Sequence, residues 1–170
     1  LLEEPYFKVI SDMGNNVAIQ VTITHNDDAI SKKLEPGAKP SSRRWEVLKA
    51  FNKVGINAMV RMEPCAAFLN AYPSHFEAYF KSAHEAGVKN FMGDAWHHTV
   101  NAEEIKILMN NAELGKQFDF DRMWNATAEY QIVGSYCMEQ GMYYAKQNGI
   151  RAGTFNFHSL PWNDDKICCM

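Results

Sequence analysis

The chain has 170 residues, 46% hydrophobic and 12% aromatic, enough for one buried core, so a single domain over 1–170 is the first expectation. Its net charge of -3 argues against strong electrostatic capture of nucleic acid, and no run of about eighteen apolar residues predicts a membrane span. The four cysteines, Cys65, Cys137, Cys168 and Cys169, show neither CxxC spacing nor a disulfide-rich pattern, which points to a reducing, cytoplasmic setting.

In chain order the pattern predicts a helix over 4–13, a strand over 17–24, a helix over 42–54 and a strand over 57–63. A helix over 75–86, a strand over 89–93, helices over 102–112 and 126–148 and a strand over 151–157 follow. The segment between 24 and 42 reads as a loop crowded with Pro, Gly and charge. Three helical patterns end at glycine followed by Ile or Val and a short apolar run: "NKVGINAMVRM", "HEAGVKNFMGD" and "KQNGIRAGTFNF". Gly55, Gly87 and Gly149 are spaced by one and then two lengths of a roughly 30-residue βα unit, each supplying the left-handed residue that closes a helix.

The helices have apolar faces at i, i+3, i+4, i+7: Val47, Ala50, Phe51 and Val54; Phe76, Tyr79, Phe80 and Ala83; Ile105, Leu108, Met109 and Ala112. Ser74 with Glu77, and Asn101 with Glu104, have capping-box spacing. Gly134 and Gly141 suggest close packing of the long helix on a neighbour. Strand-helix units of this length imply parallel strands with right-handed crossovers. The fold class expected is therefore α/β, a parallel (β/α) half-barrel forming part of a partial TIM-type barrel.

Alternation within the strands separates two faces. Val17, Ile19, Val21 and Ile23 should meet the helices, leaving Ala18, Gln20, Thr22 and Thr24 on the inner side. Likewise Ala58, Val60 and Met62 oppose Asn57, Met59, Arg61 and Glu63, while Thr154, Asn156 and His158 share a face of the last strand. The strand ends "THND", "RMEPC", "GDAWHH" and "FNFHS" bring ionisable groups to one mouth, the arrangement of a binding or catalytic site. Arg61 and Glu63 either pair with each other or meet a ligand. Asp27 and Asp28 read as caps of the next segment, and Cys65 and Cys137 as buried thiols.

The stretch "ISKKLEPGAKPSSRRWEVLKAFNKVGINAMVRMEPC", with Leu34, Glu35, Pro36, Gly37, Ala38, Pro40, Arg44, Gly55, Ile56, Arg61 and Pro64, resembles radical S-adenosylmethionine (SAM) enzymes of the spore photoproduct lyase-like group. The opening "LLEEPYFKVISDMGNNVAIQVTIT" resembles the helix and strand before it. The resemblance covers residues 1–64 and fades beyond about 95. It implies a partial barrel holding a 4Fe-4S cluster and SAM, which is cleaved reductively to a 5'-deoxyadenosyl radical. Carried over, Thr22 and Thr24 approach the SAM ribose or amino group and Arg61 its carboxylate. Together with Glu63, Asp94 and Asn156 they form the candidate cofactor-binding set, with no catalytic residue singled out.

The family's CxxxCxxC cluster motif is absent from these 170 residues. With a first residue other than Met and an end at "DDKICCM", the sequence reads as the C-terminal portion of such a core, lacking the N-terminal cluster-binding half. The expected partner is that half, or a second copy through the first strand. Two other readings stand beside this one: a metal-dependent barrel hydrolase or isomerase using His25, Asp94, His97 and His158, and a non-catalytic binding half-barrel. The substrate, small molecule or nucleic acid, is not set by the sequence; Trp96, Trp124, Tyr143 and Trp162 could stack on a base.

Overall fold

The computed structural model describes residues 2–65, 69–95 and 139–153, with 64, 94 and 95 described by backbone alone. Its elements are α1 (Tyr6–Asp12), a 3-10 turn (Gly14–Asn16), β1 (Ala18–Thr22), α2 (Asp28–Leu34), α3 (Ser41–Lys53), β2 (Asn57–Cys65), α4 (Pro73–Glu85), β3 (Asn90–Ala95), helical residues 139–147 as α5, and β4 (Arg151–Gly153). The strands form one parallel sheet in the order β1-β2-β3-β4. Among the described strands, each parallel neighbour is the next in sequence.

The helix layer covers one sheet face. Ile19, Ile23, Ala58, Val60, Met62 and Phe91 meet Leu48, Phe51, Phe76, Tyr79, Phe80, Ala83, Met142 and Ala145 in one core. Aromatic rings dominate it: Phe80 stands edge-on to Phe91 with centroids 4.9 Å apart, and Phe76 stacks on Tyr144 at 5.7 Å. Such pairs add about 0.5–1.5 kcal/mol beyond the area they bury. A Cβ at Gly141 would lie 3.5 Å from the Phe76 ring, so this glycine does sit close against a neighbouring helix.

Gly55, Gly87 and Gly149 have φ of 86°, 72° and 71°, the left-handed closures their sequence context predicts. At the first two closures Asn52 joins three chain segments. Its Nδ2 donates to the carbonyls of Ala58 (3.0 Å) and Ala86 (3.1 Å), and its Oδ1 accepts from the Ala58 amide at 3.1 Å.

Several expectations need correction. The loop between 24 and 42 contains α2, because Asp27 accepts from the amides of Ala29 and Ile30 and starts a helix of seven residues. Helix α4 begins at Pro73, with no side-chain cap bond, so Ser74 lies inside the first turn and the capping box with Glu77 does not form. On α3 the inward face runs through Ser41, Leu48 and Phe51, whereas Val54, at the C-cap, is 50% exposed. Strand β1 is shorter than 17–24 and β2 longer than 57–63. The helix over 102–112, the start of the helix over 126–148, the strand beyond 153, and Asn101 with Glu104 lie outside the described residues.

Candidate functional site

The sheet face opposite the core is built in rows. Thr22 aligns with Arg61, Arg61 with Met92, and Met92 with Gly153. One step toward the strand starts, Gln20 aligns with Met59, and Met59 and Met92 form their own buried contact. Asn90, level with Met59, donates to Asn57 one step nearer the strand starts at 3.0 Å. This face therefore carries amides toward the strand starts, with Met59 among them, and charge beside Met92 toward the strand ends.

The charge is an ion pair between Arg61 and Glu63, two residues apart on the same face of β2. Their side chains are 27% and 34% exposed, so the pair is open to solvent on one side. Thr22, beside Arg61, is half-buried, but Thr24 is buried and its hydroxyl donates to Glu35 Oε2 at 3.1 Å. Of the six candidate residues, Thr22, Arg61 and Glu63 are brought together. Thr24 stands one layer back, holding the loop, and Asp94 is placed in β3 by its backbone. Asn156 lies outside the described residues, as do His97, His98, His158, Cys137, Cys168, Cys169, Trp96, Trp124 and Trp162.

The "EPGAKP" loop is tied to the same strand end. Arg44 reaches from α3 to bond Glu35 Oε2 at 2.8 Å, the Thr22 carbonyl at 2.8 Å and the Lys39 carbonyl at 2.8 Å. The Ile23 amide donates to Arg61 on β2, so across the trans peptide the Thr22 carbonyl points to the outer edge of β1, where Arg44 meets it. Asp28 accepts from both the amide (2.9 Å) and the hydroxyl (2.6 Å) of Ser42, which hold its carboxyl below the usual range. Asp27 and Asp28 thus fix the two helix starts beside the mouth.

A second cluster lies behind β1. His25 and His75 stack with centroids 4.4 Å apart. His25 Nδ1 accepts from the Asp27 amide at 2.9 Å, and His75 Nε2 accepts from the Asn26 amide at 3.2 Å while its Nδ1–H donates to the Asn70 carbonyl at 2.7 Å. Both rings are consequently neutral, with the proton on Nε2 of His25 and Nδ1 of His75. Burial lowers both pKa values; that of His75, lowered further by His25, falls to about 4. In this tautomer His25 offers a divalent ion no free lone pair, since one nitrogen accepts a backbone bond and the other carries hydrogen. Sequence reasoning singled out His25 but missed its partner His75, 50 residues away and without a motif linking them.

Cys65, the one cysteine among the described residues, is buried. No group of three or more His, Cys, Asp or Glu among the described residues is arranged to hold a metal. Nor is any helix among them long and apolar enough to cross a membrane. No family model, curated protein or solved structure matches the chain.

Proposed function

We propose that this chain is the C-terminal portion of a radical SAM (β/α) barrel, a half-barrel whose polar sheet face receives SAM. The observation that carries the reading is the Arg61–Glu63 pair beside Thr22, at the C-terminal end of parallel strands. A guanidinium and a carboxylate set side by side present opposite charges to the carboxylate and ammonium of an amino-acid zwitterion. On the same face, Met59 and Met92 are buried against each other, and Met92 stands in register with Arg61. Glu35 and Arg44, both within the segment that carries the family resemblance, brace the strand that bears Thr22.

The described residues fit SAM better than they fit an iron-sulfur cluster, because Cys65 alone cannot supply three thiolates. Bound SAM with its cluster would supply a carbon radical for hydrogen abstraction, and the cluster ligands would come from outside these residues. The chain's own groups bind and orient the amino-acid end of the cofactor. On this reading the protein is cytoplasmic, and β1 pairs with the remainder of the barrel or with a second copy.

Anaerobic purification of the complete protein tests the proposal. Four irons and four sulfides per chain, with saturable SAM binding, support it; stoichiometric zinc would favour the hydrolase reading, and neither metal nor SAM binding a non-catalytic module.

A further inference from the structure

The hydrogen bonds around His25 and His75 share one property: each ring accepts from a backbone amide of the segment that leaves β1. The Asp27 amide donates to His25 and the Asn26 amide to His75, so two consecutive peptides are held by imidazole lone pairs. The same segment is anchored through Asn26, whose side chain accepts from Trp45 Nε1 at 2.9 Å and donates to Ser82 at 3.2 Å. Asn70 Nδ2 also donates to the Thr24 carbonyl at 2.6 Å, so the His75 bond to Asn70 extends the network to the strand end itself.

We propose that the stacked rings of His25 and His75 form an acid-released latch that fastens the end of β1 to α4. A proton on His25 Nδ1 or His75 Nε2 replaces the accepting lone pair with an N–H, which then faces another N–H. Each protonation therefore turns a hydrogen bond into a donor-donor contact. Charging both rings also sets two cations 4.4 Å apart.

The groups facing the pair do little to offset this. Asp27 is the acidic side chain that acts on His25, and its Oδ1 is already engaged by the amides of Ala29 and Ile30 at the start of α2. From α4, Tyr72 and Tyr79 lie 5.6 Å from His75 between ring centroids, and both phenols are uncharged in acid, their pKa values raised by burial. From β2, Cys65 lies near Tyr79. The lowered pKa of both histidines agrees with this geometry.

Release frees the Asn26 amide from His75 of α4 and the Asp27 amide from the His25 ring, loosening the turn that leads into the N-cap of α2, while the Asn26 side chain stays on Ser82. The strand end itself stays held by Arg44 on the Thr22 carbonyl, Tyr79 on the Ile23 carbonyl and Asn70 on the Thr24 carbonyl, so the opening is confined to residues 25–27. The latch is independent of the SAM reading.

Two measurements on the 170-residue chain test it. Histidine ring proton shifts, followed by NMR from pH 7.5 to 3.5, should show His25 and His75 titrating below the ordinary histidine range. Over the same interval the Asn26 and Asp27 amides should lose at least tenfold in hydrogen-exchange protection while amides of β2 keep theirs. The variant His25→Asn retains an oxygen acceptor for the Asp27 amide but cannot take a proton. In it, Asp27 should stay protected at the pH where the wild type has opened. Ordinary titration of both rings in the folded wild type, or protection lost at the same pH in wild type and variant, overturns the proposal.

Discussion

Arg44 Nη1 lies 2.8 Å from the Thr22 carbonyl oxygen and holds it on the outer edge of β1, while the same nitrogen bonds Glu35. One guanidinium thus ties the start of α3, the loop before it and the last residue of the first strand. Arg44 is 12% and Glu35 26% exposed, so the interaction is only partly screened. Arg44→Ala should cost about 2–3 kcal/mol, below the roughly 3–5 kcal/mol of a fully buried pair because this one is partly exposed. Urea unfolding of both proteins measures it, and a difference within error would show that the clamp contributes nothing to stability.

On the proposed reading, Arg61 meets the SAM carboxylate. Arg61→Ala in the complete, reconstituted protein should weaken SAM binding by about 1.5–3 kcal/mol, the range for a charge-assisted hydrogen bond. Isothermal titration calorimetry reads the change. Equal affinities would remove Arg61 from the site.

Stability should fall in acid. His75 is displaced from an ordinary 6.5 to about 4, chiefly by burial. Between those values the unfolded chain holds a proton that the native chain does not, so stability rises with pH across the window and is lost as pH drops through it. At about 1.4 kcal/mol per pKa unit, the loss from this residue is on the order of 3 kcal/mol. Denaturant midpoints for wild type and His75→Gln, measured from pH 7 to 4, should show the variant with the shallower decline.

Two glycine substitutions should differ. Gly55 has φ of 86° with nothing within 4 Å of an added Cβ, whereas Gly87 has φ of 72° and a Cβ there would lie 3.3 Å from Asn52 Cβ. Gly55→Ala should cost roughly 1 kcal/mol from backbone strain alone. Gly87→Ala should cost roughly 2 kcal/mol, because the contact adds to the same strain. Thermal denaturation showing the reverse order would mean that Asn52 yields without loss.

The outer edge of β1 should promote self-association of the 170-residue chain. Period-two alternation sends the Gln20 amide to the same edge as the Thr22 carbonyl. An edge rich in Val and Ile with outward backbone groups pairs readily with another chain. Gln20→Pro removes that donor without touching the ladder to β2, as edge strands tolerate proline. Light scattering should find the wild type larger than a monomer and the variant monomeric.

The parallel order of the strands was legible because three glycines close three helices at regular spacing, a backbone requirement that leaves a mark in sequence. The faces of β1 and β2 were legible too, since period-two alternation assigns each residue unambiguously once the strand is found. The phase of α3 was harder: Val47, Ala50, Phe51 and Val54 match a helical stripe as well as the true inward set, and only packing selects Leu48. Helix α2 was hidden because its seven residues include two lysines and no strong apolar stripe, leaving the Asp27 cap as its one signal. At the strand ends, the neighbourhood of Thr22, Arg61 and Glu63 was legible because β1 and β2 pair in parallel. That Thr24 turns to Glu35, and His25 to His75, depends on contacts made across loops, which no local pattern encodes.

Asn52 satisfies backbone groups of β2 and of the turn after α4 with one amide, at the end of the sheet away from Arg61 and Glu63. The two ends of the molecule therefore answer to different constraints. Where the helices close, a change in one crossover is felt by the next through a shared side chain, so those positions must vary together or not at all. At the opposite end the loop after β1 answers to its own ties, Arg44 on Glu35 and Asn70 on the Thr24 carbonyl, rather than to Asn52.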